Sequence, residues 1–91
     1  MNKYDENELI KLLDTETIKA LWRLYGIDYK RIAVRFGLTR PAIYYKLKHD
    51  AFKPYERRII LNMLQLEYGL EATELILLNK IINSRKKVEQ K

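Results

Sequence analysis

Every apolar run in this chain is spaced for a helix, and the only strong interruptions are three glycines and two prolines. No stretch alternates apolar with polar residues for long enough to make a strand, and no Asn-Gly or Gly-Asn pair offers a hairpin turn. The pattern therefore predicts an all-α fold of five or six helices. A chain of 91 residues buries only about 60 to 70% of its unfolded surface, too little for two separate cores. Residues 1–91 are read as one compact domain, with residues 1–14 as an extra N-terminal helical segment and 71–91 as a C-terminal helix and basic tail.

The punctuation divides the chain further. "DENE" offers Asp5 as an N-cap with Glu8 three residues on, a capping-box-like start that leads into Leu9, Ile10, Leu12 and Leu13. At "DTET" two alternatives stay open: a continuous helix, or a break with Thr15 capping a second helix that carries Ile18, Leu21, Trp22 and Tyr25. Gly26 ends that helix by supplying a left-handed residue. Asp28 can cap "YKRIAVRF", Gly37 can terminate it, and Thr39 can cap the next helix with Pro41 in its first turn. After the loop "DAFK", Pro54 opens a longer helix that Gly69 stops, and a last helix runs from about Glu71 into "NSRKKVEQK". That basic end suits a helix C-terminus and is expected to fray.

The middle of the chain sets two short helices on either side of the link "GLT". Two helices joined so tightly can cross at roughly 90 to 120° only where the crossing point is small and the turn can take a positive φ. Ala33 and Gly37 meet those demands, while Leu38, Ile43 and Leu47 point back toward Ile32 and Phe36. "YKRIAVRFGLTRPAIYYKL" thus resembles the helix-turn-helix of the phage Cro and repressor group, the XRE type, over roughly residues 17–76. "TIKALWRLYG" stands where that family has its first helix, and "YERRIILNMLQLEYGLEATELI" where it has its fourth and fifth. Tyr29 replaces the family's usual glutamine at a position that commonly contacts phosphate. The resemblance implies a sequence-specific double-stranded DNA-binding regulator, most simply a repressor of phage or mobile-element type. A plain helical bundle, in which Ala33 and Gly37 only permit close packing, is the alternative.

Charge placement points the same way. Residues 1–16 carry two basic against five acidic side chains, whereas residues 17–58 carry eleven basic against three acidic. Such a concentration is the footprint expected of a polyanion binder, or else a solvated basic surface that only keeps the chain in solution. In a helix starting near Arg40, steps of about 100° put Ile43 and Leu47 inward and turn Pro41, Tyr45 and Lys48 outward, with Tyr44 flanking them. Thr39, Arg40, Pro41, Tyr44, Tyr45 and Lys48 are the base-reading candidates, because a major groove about 12 Å wide admits a helix and its N-terminal residues reach base edges. Tyr29, Lys30, Arg31, Arg35, Lys46 and Lys53 are the candidates for phosphate contact.

One such helix reads few base pairs, so a homodimer on a palindromic operator is expected. "ELILLNKII" is apolar on more than one face, which nominates Leu75, Leu78, Ile81 and Ile82 for the interface; the first helix could instead cover that surplus within a monomer. There is no cysteine and one histidine, His49, so zinc clusters, disulfides and thiol nucleophiles are not expected, nor is any cofactor or small-molecule ligand. Asp28, Asp50 and Glu56 are scattered carboxylates with no nucleophile or metal set beside them, which argues against an enzyme. "MNKYDENE" lacks the character of a secretory signal, and no apolar stretch reaches the 18 or so residues of a membrane span, so a cytoplasmic protein is expected. The competing functional reading is a small phage-type inhibitor that uses the same scaffold, and its apolar last helix, to bind a host protein.

Overall fold

The computed structural model, which describes residues 5–89, with side chains to residue 85, contains six helices among those residues. In order they are α1 (Glu6–Leu12), α2 (Thr15–Leu24), α3 (Tyr29–Phe36), α4 (Arg40–Lys48), α5 (Pro54–Tyr68) and α6 (Ala72–Glu89). No strand occurs among the described residues, and the fold is all-α. The basic tail expected beyond Arg85 lies outside the described side chains.

Caps explain most of the boundaries. Asp5 accepts the Asn7 N–H at 3.2 Å, so α1 starts where expected, but Glu8 is exposed and a different residue pair supplies the bond. The chain does break at "DTET". Asp14, not Thr15, is the N-cap of α2: its carboxylate accepts the Thr17 N–H at 2.9 Å. Thr15 is buried and donates its hydroxyl to Asp50 in the turn after α4. Asp28 accepts the Lys30 N–H at 3.1 Å at the start of α3. Pro54 opens α5, and Gly69, at φ 71°, closes it.

Helix periodicity then fixes which faces are buried. Leu9, Ile10 and Leu13 enter the core, and α1 lies against α5 and α6. The first helix therefore covers part of the apolar surplus of the last one within a single chain. Burying each such leucine or isoleucine contributes about 1.5 to 3 kcal/mol. Trp22, 1% exposed, stands at the centre with the rings of Tyr29 and Phe52 edge-on to it at 5.4 and 6.0 Å. Offset and edge-on contacts of this kind match the positive rim of one ring to the negative face of the next.

The charge asymmetry is partly consumed inside the fold. Arg58 of α5 meets Glu6 at 3.2 Å and Asn7 at 3.0 Å, which draws the acidic start of the chain onto α5. Arg57 pairs with Asp50 at 3.3 Å. Tyr25 packs its ring 5.5 Å from that of Tyr68, and burial, with the negative charge of Glu74 added, raises its hydroxyl above the ordinary tyrosine pKa.

Candidate nucleic-acid interface

The joint between α3 and α4 is built from three local devices. Gly37 adopts φ 66° and ψ 33°, and the Leu38 N–H reaches back to the Ala33 carbonyl at 2.8 Å while the Gly37 N–H reaches Val34 at 3.1 Å. This closure satisfies carbonyls that a helix end would otherwise leave unpaired. Thr39 then accepts the Ala42 N–H at 3.3 Å and starts α4 after a link of only three residues. Ile32 and Ala33 of α3 and Ile43 and Leu47 of α4 are all buried, so each helix is held by its inner face.

That anchoring leaves the opposite face of α4 outside. Thr39, Arg40, Pro41, Tyr44, Tyr45 and Lys48 are all exposed, and they share one surface. Tyr44 is 53% and Tyr45 61% exposed. Neither ring is loose, however. Tyr44 lies 5.0 Å from Tyr29, whose ring leans in turn on Trp22, and Tyr45 lies 4.4 Å from the His49 ring. Tyr29 is half-buried between its neighbours, and its ring works as a support beneath Tyr44 rather than as a free-standing arm.

The candidate phosphate contacts separate into two groups. Lys30 and Lys53 are exposed, and neither has an acidic partner among the described residues; the same holds for Arg40 and Lys48. Arg31 and Arg35 differ from that expectation. One turn apart on α3, both direct their guanidinium groups to Glu67 of α5, Arg31 at 3.1 Å with its head also 5.9 Å above the Tyr68 ring. Lys46 also differs: its ammonium group lies 3.0 Å from Glu56, with side-chain exposures of 17% and 4% for the two partners. Among the described residues Glu56 is the one buried charged side chain, and it also accepts the Lys53 N–H at 2.9 Å. These three cations face carboxylates of α5, which packing brings within reach of α3 and α4.

The expected interface on α6 needs a correction as well. Leu75 is fully buried in the chain's own core and offers nothing to a second copy. Leu78 and Ile82 are half-buried, Leu78 against that core, because they share the inward phase of the helix with Leu75 and Asn79. Among the described residues of α6, the large apolar side chains that do face outward are Leu77, 61% exposed, and Ile81, 47% exposed, one turn apart. Asn79, buried in the middle of this otherwise apolar stripe, went unnoticed in the sequence; a lone amide at an inward helical position was the available signal.

Among the described residues, no group of His, Asp and Glu side chains is placed to hold a metal ion, and no helix is long and apolar enough to cross a membrane. What the site offers is a rigid helix face with aromatic rings, hydroxyls and unpaired cations. No protein-family model matches the chain, and no curated protein or solved structure matches it.

Proposed function

We propose that this protein is a sequence-specific double-stranded DNA-binding regulator of the helix-turn-helix kind, with α4 as the helix that enters the major groove. One observation carries the reading: the inner face of α4 is locked into the core while Arg40, Tyr44, Tyr45 and Lys48 stand exposed together on the other. Arg40, at the leading end and without a carboxylate partner, can direct its forked donors to guanine O6 and N7. The tyrosines supply hydroxyls for bases or phosphates and ring edges for thymine methyl groups. Lys30, Lys48 and Lys53 neutralise flanking phosphates.

In this reading the protein acts by occupying an operator and excluding polymerase, as a repressor of phage or mobile-element type. A homodimer places two α4 helices on a palindrome, and the exposed pair Leu77 and Ile81 supports α6 as the surface where the copies meet. The same pair supports a second reading, in which α6 binds a host protein and the scaffold inhibits it.

Selection of bound duplexes from a random pool tests the choice. Enrichment of a two-fold symmetric motif, with affinity that falls steeply with salt, supports the DNA reading. Equal affinity for every duplex, together with capture of one host protein through α6, supports the other.

A further inference from the structure

The pair formed by Lys46 and Glu56 sits beside the proposed DNA-reading face but is closed to solvent on the carboxylate side, with 4% exposure for the Glu56 side chain and 17% for Lys46. Both hydrogen bonds given to Glu56 end on one oxygen, Oε1: the Lys53 N–H at 2.9 Å and the Lys46 ammonium at 3.0 Å. The carboxylate thereby joins the start of α5 to the second half of α4. Lys46 cannot leave it without stranding a buried anion, which is unfavourable by more than a single phosphate contact returns at physiological salt.

We propose that Glu56 is a positioning residue that withholds Lys46 from the DNA backbone and so sets the strength and salt dependence of binding. This rests on the DNA-binding reading given above. Each lysine that meets a phosphate strengthens binding to all sequences alike, so a cation held back lowers affinity for every duplex by the same factor and leaves discrimination to Arg40 and the tyrosines. The ratio of specific to non-specific affinity is then unchanged, and what Glu56 sets is the overall strength of binding and its dependence on salt. Glu56 thus acts through Lys46 and touches no DNA itself.

The test is the slope of log affinity against log salt concentration, measured on one fixed duplex. Glu56→Gln keeps an oxygen for the Lys53 N–H and removes the charge that restrains Lys46. Its slope is expected to steepen by about 0.9, the contribution of one added phosphate contact, and its affinity for specific and non-specific duplexes to rise by the same factor. The double variant K46Q/E56Q has the same net charge as the parent and is expected to keep the parent slope. Glu8→Gln adds the same unit of charge at an exposed position on α1 and is expected to leave the slope unchanged. An unchanged slope in E56Q, a steepening of equal size in E8Q, or a double variant shallower by about 0.9 overturns the proposal. If E56Q alone fails to fold, as judged by circular dichroism, the double variant decides. A parent protein that binds no duplex in a salt-dependent way overturns the underlying reading instead, and this proposal with it.

Discussion

Asn79 donates from Nδ2 to the carbonyl oxygen of Leu12 at 2.8 Å, which fastens α6 to the last residue of α1. The same amide lies 3.4 Å from the Thr17 hydroxyl oxygen, and its own oxygen accepts from Asn83 at 3.0 Å. The bonds to Leu12 and Thr17 fix the axial position of α6, since a shift of one residue would break both. Asn79→Ala leaves the Leu12 carbonyl without its partner in a partly buried site and is expected to cost about 1 to 3 kcal/mol in urea unfolding. A loss near zero would show that α6 docks without this clamp.

Gly37 tests the joint between α3 and α4. A Cβ added there meets no atom within 4 Å, so the penalty for Gly37→Ala comes from backbone conformation at φ 66° alone. It is expected to be about 1 to 2 kcal/mol, and Gly37→Asn should recover part of it because asparagine tolerates the left-handed region. Thermal unfolding of the three proteins gives the ranking; alanine at parity with glycine contradicts the closure described.

Arg40 is exposed and unpaired among the described residues, so Arg40→Ala should leave stability within about 0.5 kcal/mol of the parent. On the selected duplex it is expected to cost about 1 to 3 kcal/mol of binding and to relax preference at one base position. Equal loss on all duplexes would move Arg40 from base reading to phosphate contact.

Leu77 and Ile81 can be replaced without opening the core. The double variant L77K/I81K is expected to unfold at nearly the parent temperature yet to sediment as a monomer at concentrations where the parent is a dimer. If the parent is itself monomeric over the whole range, α6 has another role.

Tyr25 supplies a pH dependence with a definite sign. Its folded pKa lies above the unfolded value of about 10, because burial and then Glu74 disfavour the phenolate. Its contribution to stability is complete below the unfolded value and is lost as pH rises through the folded one. Urea unfolding between pH 9 and pH 11 should therefore show a steeper loss in the parent than in Tyr25→Phe; parallel losses would remove Tyr25 from the account.

The local features of this fold are legible in the sequence because their causes are local. Asp28, Gly37 and Thr39 act within one turn of themselves, so the ends of α3 and α4 and the outward phase of Arg40, Tyr45 and Lys48 follow from spacing alone. At "DTET" the break was one of two options, and only the backbone at Asp14 decides which residue caps. Longer-range features escape for a different reason. Arg31 and Arg35 meet Glu67 across 36 and 32 residues, and nothing in the chain marks that carboxylate as their partner. On α6, apolar residues crowd every face from Leu75 to Leu78, so periodicity does not say which face turns inward. Docking of α1 settles it, and places Leu75 inside and Leu77 outside.

Trp22 is the sole tryptophan, and the rings of Tyr29 and Tyr44 lead from it to the outer surface of α4 in steps of 5.4 and 5.0 Å. Excitation absorbed at Tyr44 has a short route to an indole shielded from quenching by solvent. The molecule therefore carries its own optical gauge, in which emission from the interior registers what touches the exterior without any attached dye.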